Sequence, residues 1–227
     1  MSCLVQCIVL ALLCAVAVPL VAATATVPRE GIEWCDIWIP NAEREMHPRV
    51  LIIGDSITKQ YTPEVEIALQ GVASVARFST SRCIGDPVLL TELTLVLSQY
   101  PFDVIHVNNG LHGWANSEAV YEANFDEFLN TITKLAPNAK IIWATTTPLR
   151  VKDHLENLQP NNERVKARNV IAATHIANRP IAVDDLYVVT EAHPEFFSDG
   201  THYNKDGVSA LAKQVSASIR AILPPKP

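Results

Sequence analysis

Short unbroken apolar runs alternate with longer stretches in which apolar residues recur every three or four positions. Residues 50–53 (Val-Leu-Ile-Ile) form the first run, which predicts a strand buried on both faces. Thr62-Pro63-Glu64 then offers a capping Thr, a first-turn Pro and an acid near the positive helix end. This predicts a helix over 63–70, closed by Gly71. A strand over 72–78 follows, then a loop over 79–87 that holds Arg82, Cys83, Gly85 and Asp86. Residues 88–99 read as a helix with Leu89, Leu93, Val96 and Leu97 on one face. A third strand over 103–107 opens into the loop Asn108-Asn109-Gly110-Leu111-His112-Gly113-Trp114. In the helix predicted over 117–136, Tyr121, Phe125, Phe128, Leu129, Ile132 and Leu135 keep helical spacing. A fourth strand over 140–145, a polar, mobile segment over 150–160, a helix over 162–178 and a short strand over 181–183 complete the middle. The last helix, over 204–223, turns Val208, Leu211, Ala212, Val215 and Ile219 inward.

Five strands alternating with helices predict an α/β fold. Its sheet is parallel, covered on both faces and wound by right-handed crossovers. In such a sheet all strands point the same way, so the loops that follow them share one rim, where ligands bind. That rim would carry Ser56, Gly85, the 108–112 group, Asp199 and His202.

Ahead of the first strand the pattern changes. Residues 3–23 are almost wholly apolar and end on small residues, as in a secretory leader, although no Lys or Arg precedes them. The reading is a cleaved signal peptide over 1–23 and a secreted, periplasmic or extracellular protein. An uncleaved leader anchored in a membrane is the alternative. Residues 24–49 are polar, broken by Pro28, Pro40 and Pro48, and predict an extended lead-in docked by Trp34 and Trp38. Residues 50–227 are one domain, and the mature chain has no membrane span.

A formal net charge of −6 and the absence of a basic run argue against a nucleic-acid partner. Once the leader is removed, the cysteines are Cys35 and Cys83. An even count in an exported protein permits a disulfide between them, with two buried thiols as the other reading. No metal-binding histidine pattern stands out, so neither metal nor cofactor is expected.

The chemistry follows from the rim. Ser56 ends the turn after a buried strand and would be the nucleophile. His202 would take its proton and later return it to the leaving alcohol. Asp199, three residues earlier, would hold the other ring nitrogen, and Gly200 permits the turn this needs. The backbone N–H groups of Ser56 and Gly85 could receive a developing oxyanion. Arg82, Asn108 and Trp114 are candidate substrate contacts, with a solvated role for Arg82 and packing for Trp114 as the alternatives. Asp184 and Asp185 close the fifth strand, but their spacing to His202 is less apt.

Gly54-Asp55-Ser56, Gly85, the loop after the third strand and Asp199-X-X-His202 together resemble the GDSL, or SGNH, hydrolase family. The resemblance spans most of the chain after the leader, in the family's order. It implies a three-layer α/β/α, flavodoxin-like sandwich and metal-free ester hydrolysis through an acyl-enzyme. One motif departs from the family. Where Gly-X-Asn-Asp is usual after the third strand, alignment on Gly110 puts His112 at the Asn position and Gly113 at the Asp position. Either His112 replaces the oxyanion donor or Asn109 reaches in. The expected substrate is a small-molecule or carbohydrate ester with a short acyl group. An acyltransferase and a non-catalytic anion-binding module are the rival readings.

Overall fold

The computed structural model describes residues 28–43 and 48–224. The leader expected over 1–23 lies outside them.

The five expected strands are present as β2 (Arg49–Gly54), β3 (Ser74–Thr80), β4 (Val104–Val107), β5 (Lys140–Ala144) and β8 (Ile181–Asp184). They pair in parallel in the order β3-β2-β4-β5-β8. A sixth strand, β1 (Cys35–Trp38), adds antiparallel to β3 at the edge. Every residue of β2 and of β4 is buried, which is why their sequences, Arg49 and His106 apart, run apolar without alternation. The chain leaves β2 toward β3 on one side and returns to β4 on the other. This reversal opens a crevice beyond the carboxyl end of β2.

Helices cover both faces. The side chains of Val50, Ile52, Val104 and Ile142 meet α1 (Ser56–Ala68) and α6 (Lys205–Ile222). Leu51, Ile53, Ile105, Val107, Ile141 and Trp143 point the other way. There they meet α2 (Pro87–Leu97), α3 (Glu118–Leu135) and the end of α4 (Asn162–Ile176). The result is the three-layer α/β/α sandwich.

Several local expectations need correction. Helix α1 starts at Ser56, not near Pro63, because the Asp55 carboxylate accepts the Ile57 N–H at 2.9 Å and caps it there. Pro63 therefore lies inside the helix. The segment over 150–160 is not a loose tract but a β-hairpin, β6 (Arg150–Val151) and β7 (His154–Leu158). Between β8 and α6 the chain adds a short helix α5 (Leu186–Glu191) and a 3-10 turn (Pro194–Phe196). The lead-in docks through the β1 ladder rather than by two buried indoles, since Trp38 is 56% exposed.

Cys35 and Cys83 are both free thiols. Cys35 sits on the exposed edge strand opposite Thr80. Cys83 is buried under Gly113, where a Cβ on that glycine would meet its sulfur at 2.2 Å. Burial first, then the charges of Glu92 and Asp36, pushes the Cys35 thiol up to about 11. Burial likewise raises that of Cys83.

Candidate active site

Ser56 is the first residue of α1, directly above the carboxyl end of β2. The chain can turn this sharply because Gly54 has no side chain: a Cβ there would lie 2.0 Å from Thr58 Oγ1. As an opening helix residue, Ser56 has a backbone N–H with no acceptor among the described residues.

From the far side of the sheet comes the loop before α6. Its end is fixed by the bridge between Phe197 and Tyr203 and by the Ser198 N–H donating to the His202 carbonyl at 2.9 Å. Asp199 Oδ1 accepts the N–H groups of Thr201 and His202, each at 2.7 Å. Its Oδ2 lies 3.0 Å from His202 Nδ1, and His202 Nε2 lies 2.9 Å from Ser56 Oγ. An ionised carboxylate only accepts, so in the neutral ring Nδ1 holds the proton and Nε2 presents a lone pair to the serine hydroxyl. Burial pushes the Asp199 carboxyl up. The two backbone N–H groups and the imidazole outweigh this, and the net pKa falls below the ordinary aspartate value.

Arg150, which sequence reasoning passed over, supports that loop from behind. Its N–H donates to the Gly200 carbonyl at 2.8 Å. A Cβ on Gly200 would lie only 2.2 Å from the Arg150 carbonyl oxygen. The buried guanidinium donates to the carbonyls of Leu155, Glu156 and Glu191 and covers the Phe197 ring.

The residues after β4 divide their tasks. Asn108 donates to Ile53 through its backbone, so it stands beside Gly54. Its side-chain amide donates to the Ala144 carbonyl at 2.8 Å and lies 3.1 Å from Thr146 Oγ1. Asn109 belongs to the loop after β3: its oxygen accepts the Ile84 N–H at 3.0 Å and its amide donates to the Arg82 carbonyl at 2.8 Å. His112 Nδ1 lies 2.9 Å from Glu30 Oε2. A neutral His112 bonded to that carboxylate has no N–H left for an oxyanion. Asn109 and His112, the two donors expected here, are thus both engaged elsewhere. Gly85 has a φ of 98° and packs toward Val120 and Asn124, and its N–H has no acceptor among the described residues.

Of the expected substrate contacts, Arg82 is paired with Glu33, Asp86 and Glu92. Trp114 lies under the guanidinium groups of Arg164 and Arg168. Asp184, the last residue of β8, is held in a fully buried pair with His106 at 2.9 Å and not by His202.

Two further features escaped the sequence. Arg168, 2% exposed, donates to the carbonyls of Gly110 and His112, contacts that of Gly113 and pairs with Glu118. One buried cation therefore clamps the whole turn. The lead-in straps the same rim from the other edge. Glu30 accepts from Gly113 N at 2.9 Å, Glu33 accepts from Ser81, and Arg29 pairs with Asp86. Trp34 meets the His112 ring edge-on at 6.2 Å. No local pattern around Arg168 or Glu30 marks them, because their partners lie about 50 or more residues away.

Among the described residues no cluster of His, Cys, Asp and Glu could hold a metal ion, and no helix is long and apolar enough to cross a membrane.

The sequence matches no protein-family model and no curated protein. Solved structures do match. A GDSL-like lipase from Bacteroides thetaiotaomicron is 13% identical, with a TM-score of 0.57 over 77% of this chain and 89% of its own. A carbohydrate acetylesterase from Sinorhizobium meliloti is 14% identical, with a TM-score of 0.61 over 78% of this chain and 100% of its own. The catalytic domain of a peptidoglycan O-acetyltransferase from Streptococcus pneumoniae is 16% identical, with a TM-score of 0.54 over 78% and 95%. At these identities the likeness is one of fold, and the chain is built on the scaffold of the GDSL-like hydrolases.

Proposed function

We propose that this protein is a serine esterase that cleaves carboxylic esters through an acyl-enzyme. The observation that carries the reading is the hydrogen-bonded series Ser56–His202–Asp199, assembled at the sheet's crevice with distances of 2.9 and 3.0 Å. Ser56 Oγ attacks the ester carbonyl carbon while His202 Nε2 takes its proton. The tetrahedral oxyanion is held by the backbone N–H groups of Ser56 and Gly85. As the C–O bond to the alcohol breaks, His202 returns the proton to the leaving oxygen. Water then attacks the acyl-enzyme, again giving its proton to His202, and the acid leaves as Ser56 is restored. Asp199 keeps the imidazole in the required tautomer and stabilises the transient imidazolium.

A short acyl group is the substrate class the reading favours. Two of the solved structures this chain is similar to are an acetyl xylan esterase and a carbohydrate acetylesterase. The apolar leader supports secretion of residues 24–227, with the domain itself over 50–227. The test is hydrolysis of phenyl acetate. Wild type turns it over, and Ser56→Ala loses at least about a thousandfold in kcat. Wild-type turnover by Ser56→Ala would refute the assignment.

The likeness to a peptidoglycan O-acetyltransferase supports a second reading, in which a sugar hydroxyl replaces water in the second half-reaction. An added acceptor alcohol separates the two. An esterase releases acetate throughout, whereas a transferase diverts most of the acetyl to the acceptor.

A further inference from the structure

An open cleft of about 470 Å³ borders the triad on one side only, between the β6–β7 hairpin and the 199–202 loop. Its lining includes Val151, Lys152, Gln159, Thr201 and His202. We infer that this cleft receives the alcohol part of the ester, and that it selects an alcohol carrying a negative charge. The inference deepens the esterase reading and rests on it.

Three observations lead there. The first is position. The leaving oxygen must lie within reach of His202 to collect its proton, and this cleft is walled by His202 itself. The opposite side of the rim is occupied by the lead-in, which Glu30 and Glu33 fasten to His112, Gly113 and Ser81. Its volume also suits a small ligand.

The second is construction. The hairpin is built onto the catalytic loop through the Arg150–Gly200 hydrogen bond and the close approach at Gly200. The Gln159 amide donates to the Arg150 carbonyl at 3.1 Å, which fixes the side chain at the cleft wall. A group bound here is therefore held in register with His202.

The third is charge. Two cations on this hairpin have no carboxylate partner among the described residues. Arg150 is 3% exposed, and among the described residues its guanidinium bonds only to carbonyl groups and its Nε has no hydrogen-bond partner. Lys152 lines the cleft, is exposed, and makes no ion pair. Asp199 is the one acid in the lining; it keeps its negative charge, and the two cations outnumber it. Asp153 and Glu156 of the same hairpin are exposed and do not line the cleft. In a protein of net charge −6 this leaves a locally positive site beside the leaving group.

The experiment compares phenyl acetate with para-acetoxybenzoate, which share an acetyl group and differ by a carboxylate on the leaving phenol. kcat/KM for both is measured in wild type, Lys152→Ala and Lys152→Glu. The ratio of charged to neutral substrate falls about threefold in Lys152→Ala and about tenfold in Lys152→Glu, and added salt shrinks both effects. The ratio of phenyl butyrate to phenyl acetate stays at its wild-type value, because the acyl side is elsewhere. A charged-to-neutral ratio within about twofold of wild type in both variants overturns the inference. So does a shift in the acyl ratio instead, which would make the cleft the acyl site. Failure of the esterase reading looks different, since turnover of both esters would then survive Ser56→Ala.

Discussion

A serine hydroxyl is a weak nucleophile until a base takes its proton, and in the proposed reaction His202 Nε2, 2.9 Å from Ser56 Oγ, is that base. Asp199 matters through the tautomer it enforces. Asp199→Asn keeps the size of the side chain but can donate to Nδ1, which favours the tautomer in which Nε2 bears the proton. The expected result is a kcat lower by about a thousandfold or more with an unchanged circular dichroism spectrum. A loss under tenfold would mean that the acid only caps its loop. The meeting of Ser56, Asp199 and His202 was legible because each is a reactive type beside a turn on one rim, and Asp199 stands three residues before His202. The roles of Asn108, Asn109 and His112 were not. Three polar residues in one short loop differ only in which way the backbone turns them. That is decided by distant partners, Ala144, Ile84 and Glu30.

Elements position these residues, and the errors of sequence reading sit at their ends. Pro63 signals a helix start by local rules, yet Asp55 caps α1 eight residues before it and Pro63 is absorbed into the helix. The polar pattern of 150–160 reads as a loop because its hairpin has no apolar alternation. It holds instead by Arg150 reaching the carbonyls of Leu155 and Glu191. Gly200→Ala tests the link between hairpin and loop. A Cβ at 2.2 Å from the Arg150 oxygen forces the two apart, so kcat falls about tenfold or more while global stability drops by roughly 1–3 kcal/mol. Unchanged kcat would show that the loop keeps its geometry without the hairpin. On the opposite side, Arg168→Met leaves the carbonyls of Gly110 and His112 without their donor and Glu118 with one cation fewer. Denaturant unfolding should record a loss of roughly 3 kcal/mol.

At the scale of the whole molecule, alternating strands and helices made the parallel sheet legible. The order of its strands and the antiparallel edge strand were not, since register depends on which faces meet. The fold also carries an acid-sensitive centre. Burial raises the Asp184 carboxyl, but the hydrogen bond and charge of His106 and the Gln214 amide lower it further, so its pKa is depressed. A depressed carboxyl stabilises the fold fully above its unfolded pKa of about 4 and loses that contribution as pH falls through the folded value. Asp184→Asn should therefore cost roughly 3 kcal/mol at neutral pH, with the gap to wild type closing below about pH 4 in urea titrations. A gap independent of pH would point to packing alone.

The central claim is an activated serine at the crevice of this sheet, and intact-mass labelling with a fluorophosphonate tests it most directly. Wild type should gain a single adduct, Ser56→Ala none, and His202→Ala an adduct formed at least about a hundredfold more slowly. Folded wild type that takes no adduct, or labelling that persists in Ser56→Ala, would contradict it.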